Sequence, residues 1–163
     1  MARGNERFSP ALLRAYRATA YRIYAHDMVF TARVNEPASF LEGSFFARKT
    51  RSWAILTAWN PHSQLRARQE NLRAQQALLY VLRRMGFAAK GRIFPGENFS
   101  DGGAWPPEAT VFIRNLCREK ARELARAFGQ NAFLWARRGG KSQLIFAHPS
   151  LGGRGRCAYN AKR

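Results

Sequence analysis

Residues 51–64 read RSWAILTAWNPHSQ, and they decide the fold because they join an apolar strand to the most regular helix pattern in the chain. The segment RSWAILTAW is short, apolar and bounded by chain-breaking residues, which is typical of a strand in the middle of a sheet. Asn60 precedes Pro61, so its backbone is expected to be extended. Ser63 is then predicted to cap the helix that follows.

Hydrophobic periodicity predicts the neighbouring elements. Residues 9–25 (SPALLRAYRATAYRIYA) predict one helix of about three or four turns, with apolar residues at helical spacing. Residues 64–86 carry an apolar stripe that ends at Gly86, which favours a long helix. Residues 96–108 (GENFSDGGAWPPE) are rich in Gly, Pro and Asp and predict a loop. NAFLWA and SQLIFA flank RRGGK, the pattern of a β-hairpin.

These elements predict an α+β domain over residues 1–149, with a single mixed or antiparallel sheet of about five to six strands covered by three to four helices. A short helix is also expected near residues 40–45. The segment 150–163 contains Gly and Arg without an apolar pattern, so it is predicted to be a flexible basic tail.

Net charge is the least ordinary property of the composition. The 28 basic and 10 acidic residues give +18, a surplus that attracts polyanions and above all nucleic acids. An RNA, a DNA or a nucleoprotein assembly is therefore the expected partner. The residues predicted to contact it are Arg83, Arg84, Arg118, Arg122, Arg126, Arg137, Arg138, Arg154 and Arg156, of which Arg118, Arg122 and Arg126 are expected to form an exposed row along one helix.

Several other classes of function are not expected. No apolar run reaches the 18 or so residues of a membrane span, and no secretory signal is visible, so a cytoplasmic protein without membrane insertion is predicted. Cysteine and histidine residues lack metal-ligand spacing, so no metal site is predicted. The sequence GGKS at residues 139–142 lacks the earlier glycine of a phosphate-binding loop. No cofactor is therefore expected.

Polar residues at three places predict a pocket instead. Thr57, Asn60 and Ser63 follow the central strand, where open sheets bind ligands, although all three could simply serve the turn. Asn71 lies inside the long helix, where an Asn needs a tertiary hydrogen bond or a function to justify it. The remaining candidates come from AWPPEAT and FGQNA: Trp105, Glu108, Gln130 and Asn131. An arginine partner is the favoured interpretation of Glu108, with a poised carboxylate as the alternative.

The stretches TAWNPHSQ, WPPE and FGQNAFLW occur in an order that resembles a family of small bacterial proteins known as a domain of unknown function. The resemblance covers roughly residues 10–147 and includes an early Tyr-x-x-Thr-x-Tyr at Tyr16, Thr19 and Tyr21. It implies a compact α+β domain and no established activity. The strong positive charge and the GGRGR tail depart from the family pattern.

Three functions remain open at this point. The favoured one is binding of a polyanion through the arginine residues. The second is an enzyme or sensor whose polar pocket takes a small metabolite, which could be phosphorylated. The third is a subunit that binds other proteins in a larger complex. The sequence leaves the question of catalysis undecided.

Overall fold

The computed structural model describes residues 8–39, 49–103 and 105–148. The helices in these ranges are α1 (Pro10–Ala18), α2 (Arg68–Leu82) and α3 (Arg118–Ala127). The strands are β1 (Thr19–Ala25), β2 (Met28–Arg33), β3 (Ser52–Leu56), β4 (Ile93–Ser100), β5 (Glu108–Arg114), β6 (Ala132–Arg137) and β7 (Gln143–Phe146). The short helix predicted near residues 40–45 and the predicted tail at 150–163 lie outside the described residues.

All seven strands form one antiparallel sheet in the order β2-β1-β4-β5-β3-β6-β7. The predicted single sheet with accompanying helices is therefore confirmed, whereas the expected five to six strands were too few. β3 lies between β5 and β6, which confirms its interior position. The hairpin of β6 and β7 is also present as predicted.

The additional strand comes from the first segment, where the prediction of one long helix was wrong. The helix ends at Ala18, and residues 19–25 form β1. Along β1, Tyr21, Ile23 and Ala25 are buried while Arg22 and Tyr24 are exposed. This alternation has the period of two that belongs to a strand, and aromatic and β-branched residues fit a pleated sheet.

The predicted loop over residues 96–108 was wrong at both ends. β4 continues to Ser100, and β5 begins at Glu108. Residues 96–100 pair with β1 on one side, and residues 96–98 also pair with β5 on the other, so ladder hydrogen bonds outweigh the turn preference of Gly96 and Asn98. This pairing brings Asn98 directly opposite Glu108.

Each face of the sheet contributes to a separate hydrophobic cluster. Val111 and Ile113 face one way and pack with Leu78 and Leu82 of α2 and Leu124 of α3. On the opposite face, a second cluster of mostly aromatic and branched side chains contains Tyr21, Ile23, Trp53, Ile55, Phe94, Phe112 and Leu134. No helix among the described residues is long and apolar enough to cross a membrane.

The long helix begins later than expected. α2 starts at Arg68, and the Ala67 N–H donates to Glu70 Oε2 at 3.0 Å as an N-terminal cap. Ser63 therefore does not cap α2, and the prediction of that role was wrong. The buried positions of α2 are polar in its first half, at Asn71 and Gln75, before they become leucine.

Gly96 allows β4 to approach its neighbours closely. A Cβ atom at this position would lie 2.2 Å from the Arg22 carbonyl oxygen and 2.8 Å from Thr110 Oγ1. The first contact is with backbone of β1, which cannot move without disturbing the sheet. The position therefore requires glycine.

We expect Gly96→Ala to lower the free energy of unfolding by about 1–3 kcal/mol, because a methyl group would be forced against the backbone of β1. Gly102→Ala is the matched control, because a Cβ atom there would meet nothing within 4 Å. Urea unfolding of the two variants provides the comparison. An equal effect of both substitutions would contradict this account of Gly96.

Candidate functional site

A cavity of about 240 Å³ lies at the end of the sheet where β3 leads toward α2. Seven of the eight residues proposed from the sequence line this cavity: Thr57, Asn60, Ser63, Trp105, Glu108, Gln130 and Asn131. The eighth, Asn71, is buried beside the cavity and bonds to Asn60. The structure therefore brings all eight residues to one place, although they come from separate segments of the chain.

The sheet register builds one wall of the cavity. Tyr21 of β1 lies opposite Asn98 of β4, which lies opposite Glu108 of β5. Directly opposite residues of antiparallel strands place their side chains on the same face, with Cβ atoms about 4.5–5.5 Å apart. All three side chains line the cavity. They form a row of a phenol, an amide and a carboxylate across three strands.

The turn after β3 has an unusual backbone. Asn60 has φ 46° and ψ 60°, so the expectation of an extended Asn60 was wrong. His62 and Ser63 also have positive φ, a conformation that costs about 1–3 kcal/mol at a non-glycine residue. Asn tolerates this region better than most residues because its short side chain can bond locally. The Asn60 side chain makes such hydrogen bonds, one of them to the backbone of Arg66.

The Asn60 amide joins three segments. Its Nδ2 donates to Glu108 Oε1 at 2.7 Å, and its Oδ1 accepts from the Arg66 N–H at 3.0 Å and from Asn71 Nδ2 at 2.9 Å. Asn71 Oδ1 in turn accepts from the Asn60 N–H at 2.8 Å. The interior Asn of α2 is therefore explained by its two hydrogen bonds to Asn60 and by a third, from Nδ2 to the Arg66 carbonyl at 3.3 Å.

Gln75 extends this contact, and the sequence reasoning missed it. Its Oε1 accepts from the Ala58 N–H at 2.9 Å. Asn71 and Gln75 are four residues apart and therefore lie on the same face of α2. The sequence pattern that could have identified Gln75 is its position with Asn71 on the face of α2 that otherwise carries leucine. Thr57 completes the turn, since its Oγ1 donates to the Ala109 carbonyl and accepts from the Trp59 N–H.

The FGQ segment packs against the same turn. Gly129 has φ +66°, and a Cβ atom there would lie 2.7 Å from Pro61 Cβ, so the position requires glycine. Its carbonyl accepts from the His62 N–H at 2.7 Å. Gln130 Nε2 donates to the Trp59 carbonyl at 3.0 Å. The two stretches TAWNP and FGQ are therefore directly bonded to each other.

Ser63 contributes to a polar cluster at the side of the cavity instead of capping a helix. Its Oγ lies 2.8 Å from Tyr16 Oη, and Asn131 Nδ2 donates to both oxygens, at 3.0 and 2.9 Å. Thr19 and Tyr21 line the cavity as well. The Tyr-x-x-Thr-x-Tyr residues of the first segment thus meet the residues that follow β3.

Among the described residues, two side-chain amides hold Glu108, and no arginine pairs with it. Oε1 accepts from Asn60 Nδ2, and Oε2 accepts from Asn98 Nδ2 at 3.1 Å. The ion pairs within the described ranges do not include Glu108. The arginines of the described residues therefore do not provide the partner that was the favoured interpretation of Glu108. Among the described residues that line the cavity, none is Lys or Arg.

Two buried polar atoms at the cavity have no hydrogen-bond partner within the described part of the chain. They are Asn98 Oδ1 and Thr110 Oγ1, on residues that are 9% and 4% exposed. Leaving such an atom without a partner costs about 1–3 kcal/mol.

Tyr21, which also lines the cavity, has a pKa above its ordinary value. Burial is the main cause, and Tyr16 and Glu108 add to it, so the phenol stays neutral. Asn98, Thr110 and the role of Tyr21 at the cavity were not recognised from residue patterns.

The predicted nucleic-acid-binding arginines do not form one surface of uniform exposure. Arg83, Arg84, Arg126, Arg137 and Arg138 are exposed, whereas Arg118 and Arg122 are partly buried. The exposed row expected on α3 is therefore found at Arg126 and only in part at Arg118 and Arg122. Arg122 Nε donates to the Phe146 carbonyl, and burial lowers the pKa of this guanidinium. Arg154 and Arg156 lie outside the described residues.

Metal-ligating side chains do not cluster in residues 8–39, 49–103 and 105–148, where no group of three or more His, Cys, Asp or Glu could hold an ion. The described residues that line the cavity offer one carboxylate, several neutral amides and hydroxyls, and aromatic walls.

We expect Asn71→Ala to lower the free energy of unfolding by about 1–3 kcal/mol, because the Asn60 N–H loses its partner in a part-buried position. Gln76→Ala on the exposed face of α2 is the control and should cost less than about 0.5 kcal/mol. Chemical denaturation measures both. Equal stability of the two variants would contradict the role assigned to Asn71.

Comparison with known proteins matches part of the chain to one family model. No curated protein and no solved structure matches the chain significantly. Residues 56–133 match the model of a protein family of unknown function, DUF3293. The matched region begins at the last residue of β3 and ends within β6, so it contains the residues of the TAWNP, WPPE and FGQ stretches around the cavity. The resemblance to an uncharacterised domain family is therefore confirmed for residues 56–133, the family being DUF3293.

Proposed function

We propose that this protein binds a small ligand in the cavity and recognises the ligand's N–H groups through Glu108. The observation that carries this proposal is a carboxylate that has no basic partner among the described residues of a chain of charge +18. Where basic residues are this abundant, an acid that serves structure alone is expected to pair with one of them. Glu108 is instead oriented by two neutral amides.

The hydrogen-bonding capacity around Glu108 favours a donor-rich ligand. An ionised carboxylate has about four lone-pair sites, and the two amide bonds use one site on each oxygen. The Asn98 carbonyl and the Thr110 hydroxyl add further capacity to accept. A ligand with N–H groups would satisfy these atoms, and charge-assisted hydrogen bonds to a carboxylate are among the stronger ones.

The walls of the cavity favour a compact ligand with an apolar or aromatic surface. Tyr16, Tyr21, Trp59, Trp105 and Leu65 contribute rings and methyl groups. A volume of about 240 Å³ is below the range of about 300–1,000 Å³ that holds drug-sized molecules. One ring system or a short chain fits this description better than an extended metabolite.

The side chains that line the cavity support binding of a ligand and indicate its charge. The amides and hydroxyls are neutral, and Glu108 is the acidic residue among those that line the cavity. A phosphate group would be repelled by the Glu108 carboxylate. If the ligand is phosphorylated, as the second sequence hypothesis allowed, its phosphate belongs at the cavity rim.

We expect Glu108→Gln to weaken binding of methylguanidinium and of guanosine by about 10- to 100-fold, because a hydrogen bond to a charged group contributes about 1.5–3 kcal/mol. Titration followed by tryptophan fluorescence measures the loss, since Trp59 and Trp105 line the cavity. Thermal unfolding shows whether the variant retains the fold.

Glu36→Gln is the control, because it removes the same charge from an exposed residue outside the cavity lining. Acetate, which has no N–H group, serves as the ligand control and should not bind. Unchanged affinity in Glu108→Gln, or an equal loss in Glu36→Gln, would overturn the proposal.

A second proposal concerns a polyanion, RNA or DNA, at the exposed arginine residues. Seven of the predicted arginines lie in the described residues, and the ion pairs there engage one of them, Arg118. Arg137, the last residue of β6, and Arg138, the first residue of the turn to β7, are both exposed. Their charge is therefore free of acidic partners in the described part of the chain and can attract phosphates.

We expect the Arg137→Gln/Arg138→Gln double variant to bind single-stranded RNA with a salt slope smaller by about 1.4, since each phosphate contact to a single strand contributes about 0.7 to the slope. Fluorescence anisotropy at a series of salt concentrations measures it. Arg22→Gln, which removes a guanidinium that pairs with Glu97, is the control. Absence of binding at low salt, or an equal change in the control, would contradict this proposal.

A further inference from the structure

We propose that the ligand of the cavity is a nucleotide whose base lies at Glu108 and whose phosphate lies at the rim. This inference rests on the proposed function, because it names the chemical class of the ligand that Glu108 recognises. It follows from two observations: the cavity contains a carboxylate that accepts hydrogen bonds, and the chain as a whole carries a net charge of +18.

The charge of the whole chain selects among donor-rich ligands. A free cation such as methylguanidinium can match Glu108, but the net charge of +18 opposes its approach and weakens its binding. A ligand that carries N–H donors on a neutral ring and negative charge elsewhere satisfies both constraints. Nucleotides are a class of small molecules with this combination.

The base edge that best matches the cavity presents two donors side by side. Glu108 has free capacity on both carboxylate oxygens, and Asn98 Oδ1 and Thr110 Oγ1 lie buried without partners in the described residues. Guanine presents a ring N–H next to an exocyclic amino group, which together can bond both oxygens of one carboxylate. Uracil presents one ring N–H between two carbonyl oxygens, and these would face the carboxylate.

Aromatic walls provide the second element of base recognition. Trp59 and Trp105 both line the cavity, together with Tyr16 and Tyr21. Stacking of a base on an aromatic side chain contributes about 1–3 kcal/mol. The indole and phenol rings therefore supply affinity for the base, while the Glu108 edge supplies selectivity.

Two basic residues are sequence neighbours of residues that line the cavity. Arg66 follows Leu65, and Arg17 follows Tyr16. Both arginine residues are exposed. Arg66 Nη2 donates to Gln64 Oε1, a neutral acceptor, so this contact leaves the positive charge uncompensated. These guanidinium groups are the ones we assign to the phosphate.

The test is isothermal titration of the full chain with GMP, guanosine, UMP and methylguanidinium at about 0.1 M salt. We expect GMP to bind at least about tenfold more tightly than UMP, because UMP lacks the paired donors. GMP should also bind several-fold more tightly than guanosine, because guanosine lacks the phosphate.

Three variants assign the contacts. Glu108→Gln should weaken GMP and guanosine alike, whereas Arg66→Gln should weaken GMP and leave guanosine unchanged. Thr110→Val removes one hydroxyl at constant shape and leaves the hydrogen bonds from Asn60 and Asn98 to Glu108 intact, so it keeps the test decisive if Glu108→Gln fails to fold. It should weaken guanosine and GMP by several-fold.

The outcomes separate this inference from the proposed function. Binding of methylguanidinium without binding of GMP would overturn the nucleotide assignment and leave the proposed function standing. Equal affinity for GMP and UMP would overturn the assignment of the base edge. If none of these ligands binds, the nucleotide assignment and the proposed binding of a small ligand at Glu108 are both overturned.

The same chemistry could come from a free nucleotide or from a nucleotide within single-stranded nucleic acid. A short RNA that ends in guanosine distinguishes these sources. Tighter binding of GMP than of this RNA supports a free nucleotide as the ligand. The reverse order, with steep weakening as salt rises, supports a single strand whose terminal base enters the cavity.

Discussion

The Asn60 side chain is the constraint on which this end of the molecule depends. It bonds the start of β5 through Glu108, the start of α2 through Asn71, and the backbone of the connecting turn through Arg66. Three residues of that turn have positive φ, so the turn would not keep its shape without such contacts. The same contacts orient Glu108, the one carboxylate among the described residues that line the cavity. Fold stability and the geometry of the binding site thus rest on one amide.

Local patterns predicted the parts of this fold that local forces determine. The apolar run at 52–56 gave the interior strand, and the leucine spacing at 78–82 gave the buried face of α2. The strand at 19–25 was missed because Tyr16, Ala20 and Tyr24 fit helical spacing, and pairing with β2 and β4 decides the outcome. Likewise, Asn60 adopts a left-handed conformation because bonds from distant segments outweigh the preference set by Pro61.

The candidate site could be predicted as a set of residues but not as a set of roles. Unusual polar residues such as Asn71 were visible because they conflict with helix propensity, and they do meet at one cavity. Glu108 was expected to pair with an arginine because composition favours that, yet the register places Asn98 beside it. Asn98 and Thr110 were not recognised, because a polar residue in a strand becomes informative only once its burial is known.

The most direct test of this account is a double-mutant cycle between positions 60 and 108. Asn60→Gly removes the amide while it tolerates positive φ, and Glu108→Ala removes the carboxylate. If the Asn60–Glu108 hydrogen bond joins the turn to β5, the two substitutions should be coupled by about 0.5–3 kcal/mol in the free energy of unfolding. Effects that add within about 0.3 kcal/mol would show that the two residues act independently, which would contradict the central claim.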